Sequence, residues 1–221
     1  MSLRLNDVAP DFTTNTTQGS INFHEWIGGS WAMLLSYPKD FTPVCTTELG
    51  YTAKIEPEFT KRNCKIIGLR VDAVESHLKW EKDIEETQGA AITYPIIGDP
   101  DLAIAKLYDM LPADETGSYE GRTAVTNQTV RSVFIISPDK KIKLQLTYPM
   151  TTGGNFDEIL RLLGSMQLTV AHQVTTSVNW QQREEVIIVT AVSDAEAKVK
   201  YTSGWKTIKP CSLPIPQPAM N

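Results

Sequence analysis

Long apolar runs and basic clusters are both missing from this sequence of 221 residues. No apolar run approaches the ~20 residues of a membrane-spanning helix, so we do not expect an integral membrane protein. The N-terminus, Met-Ser-Leu-Arg-Leu-Asn-Asp, lacks the charged-then-apolar order of a secretory signal, which favours a cytoplasmic location. The net charge of −5 argues against nucleic acid as a partner.

Cysteine and histidine are also scarce, with three residues of each. An odd number of cysteines does not make a disulfide framework. The histidines are His24, His77 and His172, with no pair at helical spacing, and the sequence has no C-x-x-C. We therefore expect no metal site, and no motif indicates a cofactor.

The remaining composition, 41% hydrophobic and 21% charged, is that of an ordinary globular protein. Strand-like and helix-like segments alternate along most of the chain, which predicts an α/β fold with helices on both faces of a sheet. The predicted strands are Trp31–Tyr37, Cys64–Val71, Tyr94–Gly98, Arg131–Ser137 and Lys141–Tyr148, and the predicted helices begin at Pro43, Glu75, Asp101 and Asn155. The composition shifts after Met166, so we predict a main domain at 1–166 and a small α+β domain at 167–221.

The helix predicted from Glu75 to Gln88 is polar and amphipathic. Leu78, Trp80 and Ile84 give it an imperfect apolar stripe, which we expect to be buried. His77 is interpreted as a surface residue.

One cysteine stands where a strand-like segment meets a helix. Thr42 is placed to be the N-cap, and Pro43 suits the first helical position because its missing N–H needs no partner there. Cys45 then falls in the first turn, where unpaired N–H groups and the helix dipole favour an anion. Cysteines in such positions commonly have a lowered pKa, so the sequence predicts a nucleophilic thiolate. The alternative is a small buried side chain that only fills space.

The run of residues around Cys45 favours the nucleophilic thiolate over the space-filling side chain. Its sequence, PKDFTPVCTTE, contains P-x-x-x-T-x-x-C and resembles the active-site loop of peroxiredoxins, in particular the 1-Cys subfamily. Further similarity lies in APDF, SPDKKIKL and YPMTTG, and in the added C-terminal domain. The resemblance implies a thioredoxin-like fold, with a mixed central sheet and helices on both faces. It also implies a thiol-dependent peroxidase that reduces hydrogen peroxide and organic hydroperoxides through a cysteine sulfenic acid.

The resemblance also assigns roles around the cysteine. Cys45 would attack the peroxide, while Pro38 shields the site from water. The Thr42 hydroxyl and the backbone N–H groups of Val44 and Cys45 would donate hydrogen bonds where charge develops on the peroxide oxygens.

An arginine and an acid complete the expected site. Arg131 opens a predicted strand and, by resemblance, points at the cysteine. Glu48 follows one turn after Cys45 and would accept a hydrogen bond from Arg131 or from a loop N–H. Arg70, at the end of an earlier strand, is interpreted as structural.

The sulfenic acid needs a thiol to reduce it. Cys64 lies within a predicted strand and is expected to be buried and inert, and Cys211 in the proline-rich tail is the one plausible internal partner. The Val-Cys-Pro run of two-cysteine members is missing, so we expect an external thiol such as glutathione or a small redox protein. The resemblance further implies a homodimer in which the Lys141–Tyr148 edge strands pair.

Two positions depart from the subfamily. Tyr37 replaces the usual histidine before the loop proline, and Gly154 replaces an arginine. Both changes bear on the pKa of the cysteine thiol and not on the class of reaction.

Two alternative functions stay open. Some subfamily members are assigned a phospholipase A2-like activity, and by resemblance its serine, histidine and aspartate fall on Ser30, His24 and Asp139. The serine context here, Gly-Gly-Ser-Trp-Ala, lacks the final glycine of G-x-S-x-G. The other alternative is a redox sensor that passes oxidation of Cys45 to a partner.

Overall fold

A computed structural model describes residues 3–38, 40–113, 128–202, 204–205 and 213–219. The chain divides into two compact units, Met1–Gly154 and Asn155–Asn221. This division by packing falls before residue 166 because the long helix that follows Gly154 contributes Leu168 to the hydrophobic cluster of the second unit. The domain boundary at 166 stays a prediction.

The first unit is built on a mixed seven-stranded sheet with the order β2-β1-β5-β4-β3-β6-β7. Its strands are β1 Thr13–Thr16, β2 Gly19–Asn22, β3 Trp31–Ser36, β4 Cys64–Arg70, β5 Ile96–Gly98, β6 Arg131–Ile136 and β7 Ile142–Tyr148. Its helices are α1 Phe23–Ile27, α2 Pro43–Thr60, α3 Val74–Gln88 and α4 Ala103–Leu107. The predicted thioredoxin-like α/β class is thereby confirmed.

An interior strand of this sheet, β3, pairs in parallel with β4 and antiparallel with β6. All six residues of β3 are buried, as the continuous apolar run of a strand covered on both faces predicts. Because β3 lies between β4 and β6, side chains at the ends of both neighbours are brought to the place where the chain leaves β3.

The buried face of α3 differs from the predicted stripe. Trp80 and Ile84 are buried as predicted, but Leu78 is 46% exposed and His77 is 0% exposed. His77 is buried because both of its ring nitrogens have partners, the Asp40 carboxylate at 2.8 Å and the Ile97 carbonyl at 3.2 Å. Apolar periodicity takes no account of such partners, so the placing of His77 at the surface was wrong.

The second unit is a small α+β unit, as predicted for the C-terminal part of the chain. It contains α5 Phe156–His172, β8 Val174–Thr175, β9 Val186–Ile188, α6 Asp194–Lys200 and β10 Pro214–Ile215. The predicted cap Asn155 accepts from the Glu158 N–H, and Ser193 and Glu196 form a capping box on α6. Trp180 is 1% exposed in the core of this unit.

Among the described residues, none of the helices is both long enough and apolar enough to cross a membrane.

Gly98 allows the backbone beyond β4 to pack closely against β5. A Cβ at Gly98 would lie 2.9 Å from the Val74 nitrogen and 3.1 Å from the Asp72 carbonyl oxygen. We therefore expect Gly98→Ala to lower the free energy of unfolding by ~1–3 kcal/mol, measured by urea denaturation. Gly29→Ala, where a Cβ would meet nothing within 4 Å, is the matched control and is expected to change stability much less. Equal stability of the two variants would contradict this packing account.

Candidate active site

The candidate nucleophile lies just beyond the C-terminal end of β3. Tyr37 and Pro38 are buried, and α2 begins at Pro43 with Thr42 as its N-cap, in extended backbone conformation at φ −110° and ψ 142°. Cys45 is the third helical residue and its side chain is 0% exposed. Cys45 therefore lies in the first turn of α2, whose N–H groups lack intrahelical acceptors.

A hydrogen bond joins the cationic side chain of Arg131 to the sulfur of Cys45. Arg131 opens β6, next to β3, and its Nη1 donates to Cys45 Sγ at 3.3 Å. The same nitrogen is in an ion pair with Glu48 Oε2. Its Nε and Nη2 both donate to the Met150 carbonyl, at 3.1 and 2.7 Å. These contacts fix the plane of the guanidinium, so one N–H remains directed at the sulfur.

Glu48 holds Arg131 from the helix side. Its side chain is 6% exposed, and its Oε1 accepts from the Gly154 N–H at 2.7 Å. Burial raises the pKa of Glu48, although the Gly154 N–H and the charge of Arg131 oppose that shift. The acid therefore contacts Arg131 and a loop N–H at once, where the sequence left these as alternatives.

The two departures from the subfamily have different consequences here. Burial, followed by the charges of Tyr94 and Glu48, raises the pKa of Tyr37 well above its ordinary value, so its phenol stays neutral near pH 7. Gly154 contributes a backbone N–H to Glu48 in place of a side chain. Neither position supplies a positive charge.

The remaining expected donors lie in the first turn of α2. The Thr42 hydroxyl makes no capping hydrogen bond, while its carbonyl accepts from Thr46 N and Oγ1 at 3.0 and 2.9 Å. Val44 occupies the second helical position, so its N–H has no intrahelical acceptor. The roles of Thr42, Val44 and Pro38 in a reaction stay predictions.

Comparisons with known proteins agree with this geometry. The AhpC/TSA family matches residues 5–145. The chain is 48% identical over 216 residues to a 1-Cys peroxiredoxin of Dictyostelium discoideum, which covers 98% of this chain and 86% of the relative. It is 50% identical over 209 residues to peroxiredoxin-6 of Rattus norvegicus, which covers 91% of this chain and 90% of the relative.

The chain belongs to the peroxiredoxin family.

A solved structure supports the same assignment. It is that of a yeast mitochondrial 1-Cys peroxiredoxin whose thiol is resolved via the glutathione/thioredoxin systems. The two chains superpose with a TM-score of 0.85 at 47% identity, over 98% of this chain and 100% of the yeast chain. The predicted class of enzyme, an oxidoreductase acting on peroxide, is thereby confirmed.

Of the two other cysteines of this peroxiredoxin, the structure describes one. Cys64 is buried in β4, and burial raises the pKa of its thiol to about 12. Such a thiol is almost wholly protonated at neutral pH and is a poor nucleophile. Cys211 lies outside the described residues.

The three residues of the alternative hydrolase triad each have a different partner. Ser30 Oγ donates to Asn63 Oδ1 at 2.9 Å, and His24 Nε2 lies 2.8 Å from the Ala9 carbonyl. Asp139 accepts from the Ser137 hydroxyl. Since a triad is defined by hydrogen bonds among its members, these contacts give the alternative no geometric support.

A second buried ionic group lies beside the cysteine loop and was not predicted from the sequence. Asp40 Oδ1 lies 3.1 Å from Arg70 Nη1, and its Oδ2 lies 2.8 Å from His77 Nδ1. Within the described ranges, the structure contains no cluster of three or more histidine, cysteine and acidic residues that could hold a metal ion.

The raised pKa of Glu48 makes a prediction about stability. Between the ordinary value of 4.5 and the raised one, the folded state keeps a proton that the unfolded state releases. The free energy of unfolding therefore falls as the pH rises through this window. Glu48→Gln cannot titrate, so we expect a smaller fall in that variant, measured by urea denaturation at successive pH values.

The control for this experiment is Glu25→Gln, at an exposed position of the same unit, which should follow the wild-type curve. If Glu48→Gln also follows the wild-type curve, the titration of Glu48 does not cause this fall in the free energy of unfolding, and the prediction is contradicted.

Proposed function

We propose that the chain reduces peroxides by a one-cysteine mechanism centred on Cys45. The observation that supports it best is the hydrogen bond from Arg131 Nη1 to Cys45 Sγ at 3.3 Å. A lone pair of the Cys45 thiolate forms a bond to one peroxide oxygen, and the O–O bond breaks. The leaving oxygen takes a proton and departs as water or an alcohol. The sulfur is oxidised to a sulfenic acid and the peroxide is reduced.

Donors placed around the sulfur lower the barrier to this step. A more acidic thiol is also a weaker nucleophile, so ionisation of Cys45 alone does not explain a fast reaction. Arg131, the Thr42 hydroxyl and the N–H groups at the start of α2 stabilise the charge that develops on the two peroxide oxygens. Glu48 and the Met150 carbonyl hold the guanidinium in place, and Pro38 helps to keep water away.

Reduction of the sulfenic acid is assigned to an external thiol. One thiol condenses with the sulfenic acid to give a mixed disulfide and water, and a second thiol releases the Cys45 thiolate and leaves with the disulfide. Burial of Cys64 and the glutathione/thioredoxin systems of the yeast relative both support an external reductant such as glutathione or a small redox protein.

A homodimer through β7 is part of the proposal. The strand is last in the sheet, and on its outer side residues 6–9 pair with its beginning only, through bonds such as Asn6 N to the Ile142 carbonyl at 2.8 Å. Beyond Ile142, no described strand covers that edge, and an unpaired edge favours association. Sedimentation velocity would find twice the chain mass of 24.6 kDa, or else a monomer that refutes the dimer. The cytoplasmic location stays a prediction.

The redox sensor uses the same sulfur, so only turnover separates it from a peroxidase. A peroxidase consumes many equivalents of peroxide when glutathione is added, whereas a sensor is oxidised once and then waits for its partner. We favour turnover because Glu48 and the Met150 carbonyl accept hydrogen bonds from Arg131 and hold its guanidinium beside the sulfur, where it can donate to a peroxide oxygen.

The first experiment measures consumption of hydrogen peroxide with glutathione as reductant. Cys45→Ser is expected to abolish consumption, because the nucleophile is removed. Cys64→Ser and Cys211→Ser are the matched controls and are expected to keep wild-type turnover. Intact mass after one equivalent of peroxide should show one added oxygen on Cys45, removed again by glutathione.

Two results would contradict the proposal. Consumption that persists in Cys45→Ser would place the chemistry elsewhere. Loss of turnover in Cys211→Ser, with a disulfide between Cys45 and Cys211 in the oxidised protein, would replace the external thiol by an internal one.

A further inference from the structure

Two buried arginines lie on the strands that flank β3, near the point where the chain leaves β3 for the cysteine loop. Arg70 is the last residue of β4, and its guanidinium stacks on Tyr37, the residue that follows β3. Arg131 is the first residue of β6, on the other side of β3.

The surroundings of Arg70 are unusual for a residue that only packs. Its side chain is 0% exposed, and its guanidinium carbon lies 4.1 Å from the ring centroid of Trp80 and 4.6 Å from that of Tyr37. Within the described residues, none of its three guanidinium nitrogens has a partner in hydrogen-bond geometry. Burying an arginine in this way is costly, and an apolar side chain of similar length would fill the same space without that cost.

Asp40 is the carboxylate that faces Arg70, and it is shared. Its second oxygen accepts from His77, whose other ring nitrogen faces the Ile97 carbonyl. One carboxylate is thus shared between the Arg70 guanidinium and the His77 ring, so Asp40 is not a dedicated partner of Arg70.

The charge of Arg70 is also coupled to the cysteine. Burial lowers the pKa of Arg70, while the negative charge of Asp40 and then that of Cys45 favour its charged form. Since interactions between charges are reciprocal, Arg70 favours the anionic form of Cys45. Asp40 acts in the opposite sense, because its carboxylate lies 3.1 Å from Arg70 Nη1 and partly neutralises that charge.

We propose that Arg70 is a second cationic residue of the peroxidase site, a positioning residue that stabilises the Cys45 thiolate from the β4 side while Arg131 does so from the β6 side. The proposal rests on the function proposed above. It changes the interpretation of Arg70 from a structural residue to one that serves the reaction. Its stacking on Tyr37 and its ion pair with Asp40 also hold both ends of the loop segment 37–40.

Other charged groups face Arg70, Asp40 and His77, and they are left unchanged in the test. Asp72, which follows β4, accepts from the Asp40 N–H at 3.0 Å and is half-buried. Glu81 of α3 is near Asp40 and His77, and burial raises its pKa. Tyr94 is buried before β5, and burial raises its pKa as well, so it contributes no charge near neutral pH.

The test measures the ionisation of Cys45 without requiring turnover. In a Cys64→Ser, Cys211→Ser background, the rate of alkylation by iodoacetamide is followed against pH by intact mass. We expect Arg70→Met to move the midpoint of this profile upward by roughly one pH unit, because a nearby positive charge is lost. Asp40→Asn is expected to move it downward, because an opposing negative charge is lost. Arg70→Lys should stay near the parent profile.

Opposite shifts of the two midpoints would distinguish an effect of charge from a loss of local structure. If Arg70 only packs, both variants loosen the same loop and shift the profile in one direction, and that result overturns the proposal. An unchanged midpoint in Arg70→Met also overturns it. Should Arg70→Met fail to fold by circular dichroism, the downward shift of Asp40→Asn still decides the sign. Arg4→Met, at an exposed arginine, is the control and should leave the profile unchanged.

Peroxide consumption by the parent protein is measured in parallel. Failure of the parent to consume peroxide would refute the proposed function. The alkylation profiles alone test whether Arg70 stabilises the Cys45 thiolate. The two failures are therefore distinguishable.

Discussion

The contact of the Arg131 guanidinium with both Cys45 and Glu48 is the interaction on which the rest of the site depends. A buried thiolate without a cation would pay most of the cost of leaving water. The sheet supplies that cation, because β6 lies directly beside β3 and begins at Arg131. The Met150 carbonyl and Glu48 then fix its orientation, so the fold aligns the donor before any peroxide arrives.

The distribution of buried charge distinguishes this peroxiredoxin from the pattern its sequence resembles. Tyr37 and Gly154 stand where the subfamily has a histidine and an arginine, and both positions are neutral here. A buried cation is nevertheless present at the end of β4, in Arg70, together with its shared partner Asp40. Both strands that flank β3 therefore carry a buried arginine, Arg70 at the end of β4 and Arg131 at the start of β6.

Local rules predicted much of the fold from the sequence, but not the contacts between distant elements. The start of α2 followed from Thr42 and Pro43, whose preferences are set within one turn. The position of Arg131 could be inferred only by resemblance, because nothing local links it to a cysteine 86 positions away. Burial of His77 was missed because it depends on Asp40, which reaches it only once β3, β4 and α3 have assembled.

The most direct test of the central claim is the second-order rate constant of reduced Cys45 with hydrogen peroxide, measured by stopped flow in a single turnover. Arg131→Met is expected to lower this constant by roughly 10²–10³-fold, the cost of removing one aligned donor. Arg131→Lys should fall between the two, since it keeps the charge but loses the planar fork. A constant for Arg131→Met within a factor of two of wild type would contradict the account.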